Sequence, residues 1–157
     1  MGLIRFQPAK RPQGGLDIRS FPIVAANSFA RGAPVTRGST PSQVQEHGGG
    51  ATVTGILGTA LVGADTGVPD GKGSTSYGTE VLVALADTTT EWIGTLYNSG
   101  VVEPDSDNLG VSYGIVKVSG EWYVDESDTS NVVLKVTGIF ASMNAVLFKW
   151  ISTAIQT

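Results

Sequence analysis

The chain has 157 residues, 41% hydrophobic and 15% charged, with a net charge of −4 at pH 7 and no cysteine. This length permits one domain with a substantial core. The lack of cysteine excludes disulfides, thiolate nucleophiles and Cys-based zinc or iron–sulfur sites. The 21 glycines favour many turns and short strands over helices.

Basic residues are concentrated at the start of the chain. Residues 1–37 contain six Lys or Arg and one acid, whereas residues 38–157 contain four Lys or Arg and thirteen acids. This division predicts a basic arm that seeks an acidic surface and a body that stays in solution. The apolar start is too short for a secretory signal, and no apolar run approaches the roughly 18 residues of a membrane span. We therefore expect a soluble protein with no membrane partner.

Residues 1–20 are predicted to form an extended basic arm. Pro8, Pro12 and Gly14-Gly15 interrupt any regular element, and about 20 extended residues reach roughly 65–70 Å. The alternative is a frayed terminus. Direct nucleic-acid binding is not predicted, because the arm lacks interleaved aromatic residues and the whole chain is acidic. The residues predicted to bind a partner are Leu3, Ile4, Arg5, Phe6, Lys10, Arg11 and Arg19.

Residues 21–157 are predicted to form one all-β domain, because short apolar runs alternate with Gly, Pro, Asn and Asp. Ser119-Gly120 predicts the tight turn of a hairpin. A turn at Asn144 followed by a closing strand is favoured over a helix in the last segment, although apolar residues there also recur at helical spacing. The other predicted strands are Phe21–Ala25, Ala33–Thr36, Thr52–Leu57, Ala60–Val62, Glu80–Ala86, Trp92–Leu96, Val111–Val118, Glu121–Val124 and Asn131–Thr137.

One triplet has a catalytic association. Asp65-Thr66-Gly67 has the sequence of the loops in which paired aspartates share a proton and activate water. The turn sequence Pro69-Asp70-Gly71 follows it, so a plain turn is favoured over an aspartic peptidase. No catalytic residue is predicted.

Metal and cofactor sites are not predicted either. Asp105–Gly110 begins like a calcium loop, but Leu109 and Val116 stand where calcium ligands belong. A solvated turn is therefore favoured, with a site pooled from the acids at 125–128 as the alternative. His47 is the only histidine; it is predicted to be an exposed loop residue and cannot bind a metal alone.

Two roles are possible for the three tryptophans, Trp92, Trp122 and Trp150. They can line a sugar-binding face, or they can be core or subunit-interface anchors, which is the commoner role in a small β domain.

Seven short motifs follow one another along the body: Phe29–Thr36, Val53–Gly58, Val81–Ala86, Thr90–Gly94, Leu109–Gly114, Glu121–Asp125 and Val146–Trp150. Among them are a Gly-x-x-Tyr segment at Gly110–Tyr113 and a Trp-x-Val-Asp segment at Trp122–Asp125. In this order they resemble the head decoration, or capsid cement, proteins of tailed bacteriophages. The resemblance covers about residues 21–151 and leaves out the arm.

The resemblance implies a compact β-barrel or β-sandwich-like domain on the capsid exterior of a virion. Its partner is then the major capsid protein, and it clamps neighbouring capsid subunits as a homotrimer, with avidity raised by multivalent docking. The alternative function is a carbohydrate- or surface-binding β module of a virion fibre or host-contact structure.

Overall fold

The computed structural model describes residues 3–10, 16–24, 29–38, 42–48, 55–61 and 80–156. These residues form strands and three one-turn 3-10 helices, and the part of the chain that they cover contains no α-helix. The all-β prediction is therefore confirmed. The strands are β1 (Gln7–Lys10), β2 (Ile18–Pro22), β3 (Pro34–Arg37), β4 (Val44–Glu46), β5 (Gly58–Ala60), β6 (Glu80–Leu85), β7 (Glu91–Tyr97), β8 (Ser112–Val118), β9 (Glu121–Asp125), β10 (Leu134–Phe140) and β11 (Ala145–Trp150).

Five strands close into a barrel in the order β7-β11-β10-β8-β9. The pairs β7–β11, β11–β10, β10–β8 and β8–β9 are antiparallel. A short parallel pairing closes the ring, with Leu96 and Tyr97 of β7 opposite Val124 and Asp125 of β9. Because β9 pairs only with the last part of β7, the first part of the same β7 edge is left for another strand.

A second sheet has the order β2-β6-β5-β3-β4. Its two outer strands approach each other at one point, where Ile23 forms a parallel bridge to Val44. The Val24 N–H also donates to the Val44 carbonyl at 2.9 Å. This sheet is therefore curled rather than flat, in keeping with the twist of short strands.

One apolar core runs through both sheets. In β9 the buried residues alternate with half-buried ones, so that Trp122 and Val124 point inward. Burying such large apolar side chains stabilises the fold by about 1.5–3 kcal/mol each. The largest fully buried side chains are Trp92, Trp150, Phe6, Phe148, Ile56, Leu96 and Leu134.

Most predicted strands of the second half of the chain are confirmed. Strands β6, β7, β8 and β9 match their predictions within one residue at each end, and β11 is the closing strand that follows the left-handed turn at Asn144. β2 and β10 overlap their predicted strands but begin three residues earlier and three residues later, respectively. The prediction is wrong for β5, which shares only Ala60 with a predicted strand, and for β4, where no strand was predicted. Residues 52–54 of a predicted strand and the Asp65 triplet lie outside the described residues.

Candidate functional site

The N-terminal segment is the candidate functional site, and its described part is folded onto the barrel. β1 pairs antiparallel with the first part of β7, with Gln7 opposite Ile93 and Pro8 opposite Trp92. The next strand, β2, pairs with β6 of the second sheet. The expectation that residues 1–20 contain no regular element is therefore wrong for residues 7–10 and 18–20, because backbone pairing with distant strands overrides the local effect of proline.

Phe6 is the deepest residue of this segment. It is 2% exposed, and its ring lies edge-on to Phe148 and Trp150 at centroid distances of 5.5 and 6.1 Å. Gly94 of β7 makes room for it, since a Cβ there would lie 2.5 Å from two ring atoms of Phe6. Phe6 thus fills the barrel interior where β9 diverges from β7. In this arrangement it has no surface to offer a partner.

Ile4, which precedes Arg5 and Phe6, is held by main-chain and apolar contacts. The Ile4 N–H donates to Thr95 Oγ1 at 2.8 Å, and the Thr95 N–H donates to the Ile4 carbonyl at 3.3 Å. The Ile4 side chain packs on a small cluster formed by Ile93, Ala145 and Leu147. This cluster is separate from the main core, which places it on the outer wall of the barrel.

Arg5 forms a two-point ion pair with Glu121, the first residue of β9. Its Nη2 lies 2.9 Å from Oε1 and its Nε lies 3.2 Å from Oε2. The hydrogen bond to Glu121 raises the pKa of Arg5 further, against a smaller opposing effect of burial. Both side chains are about 30% exposed, so solvent screening limits the pair to at most about 1 kcal/mol. The pair fixes the direction of the segment more than it stabilises the fold.

The remaining predicted partner-binding residues are dispersed. Arg19 pairs with Asp17 at 3.2 Å on an exposed strand, where both side chains are more than half exposed. Leu3 is half-buried, Lys10 ends β1, and Arg11 lies outside the described residues. Arg5 lies just before β1 of the first sheet, whereas Arg19 is in β2 of the second. The two arginines whose side chains are described, Arg5 and Arg19, are therefore not gathered into one basic surface, and the role of these residues with a partner stays a prediction.

The tryptophans are core residues. Trp92, Trp122 and Trp150 are 0%, 4% and 1% exposed, which leaves no indole face for a sugar ring. They are the core anchors that the sequence favoured, and the alternative of a sugar-binding face built on these residues does not fit, because their strands direct them inward. Trp122 also donates its Nε1–H to Glu46 Oε2 at 2.9 Å.

His47 is buried at 4% exposure, so the prediction of an exposed loop histidine is wrong. Its ring lies edge-on to Trp122 at a centroid distance of 6.1 Å, and its backbone N–H donates to the Pro34 carbonyl at 2.9 Å. Its neighbour Glu46 accepts from Trp122 and, at 2.6 Å, from Lys117 Nζ. Glu46 and His47 therefore join the second sheet to the barrel. The unpredicted strand β4 is what brings them there.

The acidic loop 105–110 is a structural turn. Asp105 caps the 3-10 helix Ser106–Asn108 by accepting from the Asp107 N–H at 2.8 Å, and the Asn108 side chain accepts in return from the Asp105 N–H at 2.9 Å. Within the described ranges, no three His, Cys, Asp or Glu residues are placed to hold a metal ion. No helix in those ranges is long and apolar enough to cross a membrane.

Comparison with known proteins identifies no relative. No protein-family model, no curated protein and no solved structure matches the chain. Its function must therefore be inferred from its own residues.

Proposed function

We propose that the chain is a structural protein of a tailed-phage virion. In this proposal it binds the outside of the assembled capsid as a homotrimer and clamps neighbouring major capsid subunits. The observation that carries the proposal is where the motifs that resemble those of capsid cement proteins lie in the fold. The motifs lie on successive elements of one β body. Their described parts include all of β9, parts of β3, β6, β7, β8 and β11, and the first residue of β5.

The buried tryptophans favour this function over the sugar-binding alternative. Trp92, Trp122 and Trp150 serve the core, so the residues that motivated carbohydrate binding are already engaged. A protein that resists stress in a capsid needs a rigid body of this kind, with its aromatic residues packed inside rather than presented to a ligand.

The first experiment measures mass and attachment together. Light scattering of the purified protein, alone and after mixing with purified empty capsid shells, is expected to show a trimer that co-sediments with the shells. A monomer that stays in the supernatant at all ratios contradicts the proposal.

A second experiment asks whether the N-terminal segment itself reaches the capsid. Deleting residues 1–20 is not a clean test, because the deletion removes Phe6 from the core. A disulfide across the register pair Gln7–Ile93 instead locks β1 onto the barrel, since residues directly opposite in an antiparallel pair have suitably spaced Cα atoms. The chain has no cysteine of its own to interfere.

If the segment leaves the barrel to bind shells, the oxidised Gln7→Cys/Ile93→Cys variant loses attachment and regains it on reduction. The single variant Gln7→Cys is the matched control and should attach in both redox states. Equal attachment of the oxidised and reduced double variant shows that β1 stays on the barrel and that the predicted arm is not the capsid-binding element.

A further inference from the structure

One end of the barrel is formed by the connections that follow β7, β9 and β10. We call residues 97–111, 125–133 and 139–145 the acidic end. Hydrogen bonds bring these segments together: the Leu96 N–H donates to the Asn144 carbonyl at 2.9 Å, and the Glu126 N–H donates to the Tyr97 carbonyl at 3.0 Å. The Gly110 N–H donates to the Val136 carbonyl of β10, also at 3.0 Å. The three segments therefore meet around one opening of the barrel.

The charge of this end has one sign. Its three segments contain no Lys, Arg or His. Arg5 and Lys117 form ion pairs with Glu121 and Glu46 elsewhere in the molecule. Lys135 of β10 lies opposite Ser112, one residue beyond the first of the three segments. The six carboxylates of the acidic end are those of Glu103, Asp105, Asp107, Asp125, Glu126 and Asp128.

Apolar side chains are exposed between these carboxylates. Val101 and Leu109 are 51% and 46% exposed, and Phe140 and Met143 are 41% and 39% exposed. Among the described residues the only other large hydrophobic side chain with comparable exposure is Ile18, which lies on β2 of the second sheet. Exposed apolar residues gathered at one place mark an interaction site, whereas single ones need no explanation.

The loops of this end are braced from within. Glu126 accepts from the Asn98 and Asn108 side chains at 3.1 and 2.8 Å, and Asn108 also donates to the buried Tyr113 hydroxyl at 3.0 Å. Asp125 and Asp128 accept from backbone N–H groups in their own turns. A preformed surface loses little conformational entropy when a partner binds.

We propose that the acidic end is a docking surface for a cationic protein surface that also presents apolar side chains. Charge complementarity determines this choice, because three segments with six carboxylates and no basic residue attract Lys and Arg and repel nucleic acid or an anionic membrane. Two copies meeting through this end would oppose like charges, so the occupant is a different protein. That this partner is the major capsid protein rests on the function proposed above.

The test uses two substitution pairs at exposed positions. Glu103→Gln with Asp107→Asn removes two carboxylates whose side chains make no capping contact, and Phe140→Ser with Met143→Ser removes two apolar contacts. Ile18→Ser is the matched apolar control. The charge control is Asp17→Asn with Glu80→Gln, which removes two exposed carboxylates, beside β2 and in β6, that contact Arg19 and Ser20. Thermal melts first confirm that each variant folds.

Binding is measured to purified empty capsid shells and, separately, to a synthetic Lys/Leu peptide. Each pair at the acidic end is expected to weaken binding about tenfold or more, and added salt to weaken wild-type binding, while both controls bind as wild type does. A different outcome is that wild type binds the peptide but not the shells, with weaker peptide binding by the acidic-end variants and unchanged binding by the controls. That result overturns the capsid function and supports the docking surface. If neither wild type nor the variants bind the peptide, or if the variants bind it as tightly as wild type does, the docking surface is overturned.

Discussion

Replacing Phe6 by alanine tests whether the N-terminal segment is an integral part of the barrel. The ring is 2% exposed and lies 5.5 and 6.1 Å from the rings of Phe148 and Trp150. Truncating a buried phenylalanine removes its transfer free energy and leaves a cavity, which together cost about 3–5 kcal/mol. The same change on a free arm costs about 0.5 kcal/mol or less. We expect the larger value, which is a substantial part of a typical total stability of about 5–15 kcal/mol.

Gly94→Ala supplies an independent check on the same contact. The added methyl lies 2.5 Å from two atoms of the Phe6 ring, so it displaces the ring and destabilises the wild-type barrel by about 1–3 kcal/mol. In the Phe6→Ala background the ring is absent and the methyl enters the vacated space. The combined change is therefore expected to cost at least about 1 kcal/mol less than the sum of the two single changes.

Urea denaturation followed by tryptophan fluorescence measures all four proteins, since Trp150 reports on the Phe6 environment. Equal m-values confirm that the variants unfold from comparable native states. Loss of less than about 1 kcal/mol in Phe6→Ala, or strict additivity of the two substitutions, refutes the placement of Phe6 inside the barrel.

Two further predictions concern the tryptophan N–H groups and the half-buried Asp87. Trp122→Phe is expected to destabilise by about 1–3 kcal/mol more than Trp150→Phe in urea denaturation, because the Trp122 N–H donates to Glu46 whereas the buried Trp150 N–H finds no acceptor among the described residues; equal losses contradict this. Burial disfavours the Asp87 carboxylate, but hydrogen bonds from Thr89 and Thr90 outweigh it and lower its pKa below 3.8. Its stabilisation is therefore present above that pH and is lost as the pH falls through the lower folded value. Urea denaturation across acidic pH measures the difference in free energy of unfolding between wild type and Asp87→Asn. This difference should shrink toward low pH, and a difference that increases there contradicts the assignment.

Local signals predicted the hairpin of β8 and β9 correctly. Ser119 and Gly120 both adopt positive φ, at 51° and 83°, as the tight turns that match strand twist require. In β9 buried and half-buried residues alternate as expected, whereas β8 has three buried residues in succession, Tyr113 to Ile115. Turn and strands lie within a few residues of each other, so the sequence pattern alone was sufficient.

β1 and β5 could not be predicted because distant partners create them. Pro8 argues against a strand locally, yet it lies opposite Trp92 in β7. β5 contains only Gly58, Thr59 and Ala60, which carry a weak strand signal. It exists because the backbone of β6 approaches so closely that a Cβ on Gly58 would lie 2.2 Å from the Ala84 carbonyl oxygen.

The acidic end was visible in the sequence only as separate clusters. Asp105 and Asp107 were considered as a loop, and residues 125–128 as a second acidic group. Their meeting depends on the parallel pairing that sets Tyr97 beside Asp125. Local periodicity contains no information about such a pairing.

The ion pair between Arg5 and Glu121 spans 116 positions in the chain, and this separation has a consequence for biosynthesis. A ribosome releases the N-terminal segment first, but the barrel wall that receives it is completed only when β11 has been made. Non-local pairing of this kind slows folding. Until then the Phe6 side chain has no site to enter and stays available to chaperones or to neighbouring nascent chains. Synthesis and assembly of this protein are therefore expected to be most sensitive to crowding in the interval before its last strand emerges.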